Sequence, residues 1–269
     1  MKQVSIILPT YNRAHCIGRA VESVLDQTYP AWELLVIDDG STDNTEERIA
    51  DYAASDGRVR YCRQACNRGV SAARNEGIRQ ARYEYIAFQD SDDAWRADKL
   101  EKQMRVFEES PEAGLVYCAM QGTRQGGSAV RIPDASIDRR LLHGNLYELL
   151  LQGNVIDAPT AVVRQSCLEK CGGFDESLSC LEDWELFLRI AEAYEIGYVD
   201  EALVDSDVHN EGVSSRVGGY FQARCRMIAL HKAALLRYGL FNRVTERVLL
   251  MAKEAGVLEQ VAGILQNML

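Results

Sequence analysis

A chain of 269 residues, 47% of them apolar, can bury a sizeable core and is long enough for one large domain with an appendage. Its formal net charge of −10 argues against a dedicated duplex-binding surface, which needs clustered Lys and Arg against phosphates, so no nucleic-acid partner is expected. No uncharged apolar run reaches membrane-spanning length, and Lys2 leads straight into a strand-like segment without signal-peptide architecture; a cytoplasmic protein is therefore expected. The eight cysteines (16, 62, 66, 118, 167, 171, 180 and 225) form no CxxC pair, and their two CxxxC spacings lack a nearby His to complete a zinc set. They read as reduced, structural thiols.

In chain order, the first hundred residues alternate short apolar runs with amphipathic stretches, the pattern of βαβ units and a mainly parallel sheet. Strands are expected near 3–8, 34–38, 58–62 and 84–88, and helices near 14–26, 43–54, 70–81 and 97–109. Pro9 ends the first strand, Tyr29 and Pro30 stop the first helix, and Asp43 followed by Glu46 reads as a capping box for the second. Residues 114–120 read as a strand, 121–129 as a turn-rich loop, and 159–166 as a strand leading into a short helix. Leu181, Trp184, Leu188 and Ala191 recur at helical spacing. They predict a helix over 181–193 with Trp184 in the core and with Glu182 and Asp183 in the first turn, where backbone N–H groups favour ionised carboxylates. Beyond His209 two long basic amphipathic helices are expected, roughly 217–238 and 242–267. From Arg216 to Lys253 there are eight Lys or Arg and one acid, Glu246, so this stretch is strongly basic in an acidic protein.

Two apolar runs end abruptly in acids: "LLVIDDGSTDNT" (34–45) and "YIAFQDSDDAW" (85–95). Buried parallel strands read this way when their carboxyl ends open onto a site. Asp90, Ser91 and Asp92 form an Asp-x-Asp step, and hard oxygen ligands so placed suit Mg²⁺ or Mn²⁺ already chelated by phosphates. Asp93, the third acid within four positions, is expected to be solvated or to cap a turn. The pattern points to a metal-dependent enzyme acting on a nucleoside diphosphate. A nucleotidyltransferase would need a Gly-rich basic loop straight after the first strand, yet no glycine occurs until Gly18. G-x-G-x-x-G and GxxxxGK[ST] are absent, which argues against dinucleotide and P-loop enzymes.

"VSIILPTYNRAHCIGRAVESVLDQTYPAWELLVIDDGSTDNT", "NRGVSAARNEGI", "FQDSDD" and "CLEDWELFLR", in this order and at this spacing, resemble the family 2 inverting nucleotide-sugar glycosyltransferases of the GT-A fold, over residues 3 to about 215. The resemblance implies an α/β protein whose residues 1–215 form a Rossmann-like nucleotide-binding sheet flanked by helices, with 216–269 as a basic helical C-terminal appendage. It implies that Pro9, Thr10 and Tyr11 line the base pocket and that Asp39 accepts from the uracil imide and neighbouring ribose, beside the turn-capping role that "DDGST" would fill anyway. Asp92 would be the direct ligand of Mn²⁺ or Mg²⁺, and Asp90 would face the ribose or the metal's water shell, with Ser91 between them. Arg74 would sit near the diphosphate or behind the Asp-x-Asp loop, its plainer role being a salt bridge to Asp90 or Asp39; Arg13 and Arg68 are second choices. Asp183 matches the general base. Glu182 either orients the acceptor or is a solvated acid at the helix start. His209 is a candidate third metal ligand or a surface histidine, because Asp205, Ser206 and Asp207 stand where a Tyr-Arg pair often precedes it. His15, His143 and His231 carry no partner pattern and default to surface or core.

The implied activity is transfer of a sugar from a nucleoside-diphosphate donor, UDP favoured, to a hydroxyl of a glycan or lipid-linked acceptor with inverted configuration. The alternative is a non-catalytic nucleotide-sugar-binding subunit of a polysaccharide assembly complex, which would be free to lose the base; Asp39, Asp92 and Asp183 are all retained. The basic stretch 216–253 either packs on the catalytic domain or docks peripherally on an anionic membrane at its cytoplasmic face.

Overall fold

The computed structural model describes residues 1–124, 129–208 and 217–268. Its parallel half is built from runs that bury both faces: β1 (Val4–Thr10) and β2 (Trp32–Asp38) are buried at all seven positions, as central strands covered by helices on two sides must be. β2 lies between β1 and β3 (Val59–Arg63), β1 also pairs with β4 (Tyr85–Phe88), and all three pairings are parallel. Helices α1 (Ile17–Leu25), α2 (Thr45–Ser55) and α3 (Val70–Gln80) make the crossovers, and α4 (Lys99–Glu109) follows the short β5 (Asp93–Trp95). These elements match the expected ones to within a few residues.

The second half of the sheet is mixed. β6 (Ala113–Arg124) runs beside β8 (Ala161–Arg164) and β9 (Glu195–Val208), giving the order β3-β2-β1-β4-β8-β6-β9-β5, with β7 (Ala129–Ile132) also paired to β6. The turn-rich loop expected over 121–129 is therefore corrected. Gln121, Gly122 and Thr123 are ladder positions held by both β7 and β9, so pairing overrides the turn signal of Gly122; residues 125–128 lie outside the described part. The remaining short helices are α5 (Tyr147–Gln152) and α6 (Gln165–Cys171), and the predicted helix over 181–193 is α7 (Glu182–Ala193).

The alternation of β1 divides the core. Ile6 and Leu8 join a layer with Val21, Met104 and Phe107, whereas Ile7 joins one with Ala73, Phe88 and Phe187. Helix α3 lies so close to β1 that a Cβ at Gly77 would come 2.4 Å from Ile7 Cγ2. The second layer continues into the C-terminal helices, where Phe221, Cys225, Ile228, Val248 and Leu265 share it with Trp184 and Phe187. The two long helices expected there are four: α8 (Val217–Leu230), α9 (Lys232–Arg237), α10 (Phe241–Glu254) and α11 (Leu258–Met268). Gly239 and Gly256, at φ of 67° and 74°, mark two of the breaks. The capping box is also corrected. Asn44 is the N-cap residue of α2, Asp43 accepts from the Thr45 N–H at 3.1 Å, and Glu46 is drawn away to Arg63 at 2.6 Å. No described helix is long and apolar enough to cross a membrane.

Candidate active site

The ends of β1 and β2 lie side by side, and the Asp39 N–H donates to the Thr10 carbonyl at 2.8 Å. Asp38 is fully buried and structural: its oxygens accept from the Ser41 N–H at 2.7 Å and the Tyr61 hydroxyl at 2.6 Å. Asp39, 3% exposed, accepts from the N–H groups of Arg68 at 2.8 Å and Gly69 at 2.7 Å, so it staples the segment before α3 onto the end of β2. Burial raises its pKa while those two N–H groups oppose the rise. Gly40 sits at φ 79°, and a Cβ there would lie 2.9 Å from the Cys66 carbonyl carbon; this turn excludes any side chain. Asn12, at φ 54°, accepts from the Thr42 N–H at 2.7 Å, which is how a short polar side chain tolerates a left-handed backbone. Pro9 and Thr10 are buried beneath this turn, and Tyr11 is 43% exposed at its rim.

The chain leaves β4 into Asp90, Ser91 and Asp92. Arg74, 4% exposed on α3, donates from one guanidinium nitrogen to Asp90 and from another to Glu182, both at 2.7 Å. Its charge is spent inside the protein, behind the Asp-x-Asp loop, with Asp90 rather than Asp39 as partner. Glu182 is accordingly a buried ion-pair partner, not a solvated acid, because a buried guanidinium is costly unless carboxylates pair with it. Asp92 is more open, 34% exposed, with Arg13 at 3.8 Å. Ser91 is buried between the two acids. Arg68 reaches Glu176 at 3.0 Å.

Asp93 departs from expectation. It is neither solvated nor a cap but 4% exposed at the start of β5, paired with Ser206 of β9. Burial and then Asp90 push its pKa well up, against a hydrogen bond from Ser206. The reason is tertiary: β5 exists only through its pairing with β9, which sequence periodicity does not reveal.

Asp183 lies in the first turn of α7, as expected. Leu181 before it is at φ 62°, an unfavourable backbone for a bulky side chain that fixes the entry to the helix. One Asp183 oxygen accepts from the Trp184 N–H at 2.7 Å and the other from the Ala158 N–H at 3.2 Å. Burial first, then Glu182 and Asp157, push its pKa up to about 8 against the pull of Arg74. Trp184 is buried, donates to the Leu150 carbonyl at 2.8 Å and carries the Arg224 guanidinium 4.5 Å over its ring, as the core reading of this residue requires. His231 is a core residue.

Asp157 lies in the 155–160 loop, one of those whose side chains are expected from the sequence to reach donor hydroxyls, though the residue itself carries little signal there. Its only signal is an acid after the apolar pair Val155-Ile156, a much weaker version of the strand-end pattern. It precedes one turn of 3₁₀ helix, Ala158–Thr160. One of its carboxylate oxygens, Oδ2, is buried without a partner among the described residues, and burial followed by Asp90 pushes its pKa up to about 6.

A divalent ion would find a partly exposed carboxylate here in Asp92. Among the described residues no three His, Cys, Asp or Glu side chains are arranged to hold a metal. Asp92 offers a hard, partly exposed carboxylate, and diphosphate oxygens and water would have to complete the shell, as Mg²⁺ and Mn²⁺ accept. His209 lies outside the described residues.

Residues 5–171 match the model of Glycosyl transferase family 2. The UDP-Glc:alpha-D-GlcNAc-diphosphoundecaprenol beta-1,3-glucosyltransferase WfgD of Escherichia coli is 46% identical over 104 residues, 39% of this chain and 40% of that protein. Staphylococcus aureus TarS 1–349, solved in complex with UDP-GlcNAc, superposes with a TM-score of 0.68 at 17% identity over 98% of this chain and 90% of that one. The mannosyltransferase PcManGT of Pyrobaculum calidifontis, in complex with GDP-Man and Mn²⁺, gives 0.66 at 20% identity over 99% and 74%. The chain spans about a third to a half of the length of the curated relatives it matches first. The mixed sheet, its strand-end acids and this family match make the chain a member of glycosyltransferase family 2 with the GT-A fold.

Proposed function

We propose that the protein is an inverting glycosyltransferase that moves a sugar from a nucleoside-diphosphate donor to a hydroxyl of a glycan or lipid-linked saccharide, with residues 1–215 as the catalytic unit. The observation that carries this reading is the state of Asp183. Its carboxylate has both oxygens held, by the Trp184 and Ala158 N–H groups, and a pKa raised to about 8. It is a positioned base that takes a proton from a sugar hydroxyl once ionised, on the alkaline side of neutrality. With Asp183 on the face of the anomeric carbon opposite the diphosphate, a single in-line displacement gives inversion.

The other residues follow from where they stand. Each Asp39 oxygen spends one lone pair on the Arg68 or Gly69 N–H and retains another for the uracil imide or ribose. Pro9, Thr10 and Tyr11 wall the base, and Arg13 beside Asp92 meets the diphosphate. Arg74 positions Asp90 and Glu182 and does not itself reach phosphate. Bound Mn²⁺ or Mg²⁺ would be held by Asp92, with His209 as a further ligand, and would supply Lewis-acid stabilisation of the departing diphosphate. UDP as the nucleotide is supported by the UDP-GlcNAc complex of TarS and the UDP-Glc donor of WfgD, Mn²⁺ by the PcManGT complex, and a lipid-linked acceptor by the diphosphoundecaprenol substrate in the WfgD name. Such an acceptor would suit a cytoplasmic enzyme peripheral to the membrane through 216–253.

A panel of nucleotide sugars tests the reading, scored first as thermal stabilisation with Mn²⁺ and then as diphosphate release with and without metal. UDP-sugars should stabilise the protein most and release UDP only with metal. Stabilisation without release in the presence of any acceptor would favour the non-catalytic binding subunit instead.

A further inference from the structure

We propose that Asp157 reads the saccharide: its unpartnered carboxylate oxygen takes a hydrogen bond from a hydroxyl of a sugar bound between the Asp-x-Asp loop and Asp183. This rests on the glycosyltransferase reading and adds to it a specificity-determining residue.

Three observations converge. The first is the orphan itself. Oδ2 of Asp157 is buried without a partner among the described residues, and a buried carboxylate oxygen left unsatisfied costs more than a made bond returns. The two terminal nitrogens of Arg74 are committed to Asp90 and Glu182, and among the described residues no cation acts on Asp157 to pair its charge. The acids around it do not form a metal cage. A donor brought by a ligand would satisfy the oxygen, displacing any water that does so in the free protein.

The second is the rigidity of the turn that presents it. The Thr160 N–H and hydroxyl both donate to the Asp157 carbonyl, at 2.9 and 2.6 Å. The Trp95 indole donates to the Pro159 carbonyl at 3.1 Å, and the Gln103 amide to the Thr160 carbonyl at 2.8 Å. Behind them Lys99, fully buried, donates to Gln103 at 2.8 Å and lies 3.8 Å over the Trp95 ring. A turn clamped from β5 and α4 holds its first carboxylate in one place before any ligand arrives, which is what a specificity residue needs.

The third is location. The N–H of the very next residue, Ala158, holds the Asp183 carboxylate at 3.2 Å, and Asp90 is near enough for its charge to act on Asp157. Asp157 thus stands between the base and the loop that follows β4. A carboxylate there can accept from one hydroxyl or bridge two neighbouring ones, and sugars present hydroxyls in that arrangement.

The test compares the full chain with Asp157→Ala and Asp157→Asn, using monodeoxy UDP-sugars in donor hydrolysis and monodeoxy acceptors in transfer. Asp157→Ala should lower kcat/KM roughly 10- to 100-fold, the loss of one hydrogen bond to a charged acceptor. Asp157→Asn, which keeps an acceptor oxygen, should recover part of it. The wild type should discriminate against one deoxy compound that Asp157→Ala treats like its parent; the series in which that compound falls says whether the hydroxyl belongs to donor or acceptor. Because the substitution removes a carboxylate crowded by Asp90 and Asp183, the Tm of the ligand-free variants should hold or rise. A fall in Tm with equal losses on every deoxy compound would assign Asp157 a structural role and overturn the proposal, as would an active wild type with unaltered variants. A wild type inactive on all donors overturns the glycosyltransferase reading itself.

Discussion

Asp183 combines a requirement and an obstacle. It must be ionised to take a proton, yet burial, Glu182 and Asp157 hold its proton on up to about pH 8. Turnover should therefore climb as pH rises through that region and fall on acidification, read as the acid limb of kcat/KM. Removing the Asp157 charge relieves part of the repulsion, so in Asp157→Asn that limb should move to lower pH. Asp183→Asn should cut turnover about 10²-fold or more while leaving nucleotide binding, measured by thermal shift, nearly intact. Asp92→Ala should instead weaken metal and donor binding together. The same shift has a stability consequence. Between the ordinary carboxylate range and about 8 the folded protein binds more protons at Asp183 than the unfolded chain does, so the ligand-free protein loses stability as pH rises through that window. A Tm that declines over this range in the wild type, and declines less in Asp183→Asn, is the expected outcome.

At the scale of elements, legibility follows burial. β1, β2 and β4 are readable because strands covered on both faces must be continuously apolar, and the acids that end them stand out by contrast. Asp39 and Asp92 inherit that clarity, whereas Asp183 is legible through the helical spacing of Leu181, Trp184, Leu188 and Ala191. β9 is not readable: Asp200, Glu201 and Asp205 interrupt it, and it is held by neighbours, β6 and β5, that come from distant sequence. Asp93 and the turn that follows Asp157 are opaque for the same reason, since each is set by a contact more than 40 residues away along the chain: Asp93 pairs with Ser206, and Trp95 donates to the Pro159 carbonyl. The α3–β1 packing makes a sharper demand. Gly77→Ala would drive a methyl to 2.4 Å from Ile7 Cγ2, and overpacking of this kind costs about 1–3 kcal/mol. Because α3 also carries Arg74, denaturant unfolding should show the loss, and a shifted Arg74 should lower activity beyond what the lost stability explains.

For the whole molecule, the question is what the basic C-terminal helices do. Part of their charge is used at home: Arg224 is buried over Trp184, and Arg226 pairs with Asp175 at 2.9 Å. Their apolar faces complete the layer beneath α7, so a chain cut before α8 would expose Trp184 and Phe187 and should not fold stably. Arg237, Arg243 and Lys253 are exposed, and so are Leu236 and Leu250, each at 57%. Exposed leucines beside exposed cations are what a membrane-facing helix presents, and each cation near an anionic surface contributes about 1 kcal/mol. The intact protein should therefore sediment with liposomes in proportion to their anionic lipid and be released by added salt, since screening shortens the reach of exposed charge. Charge reversal at Arg237 and Arg243 should weaken that binding without lowering turnover on a soluble acceptor. No sedimentation at low salt would mean that these helices serve the fold alone, and the acceptor would then have to reach Asp183 from solution.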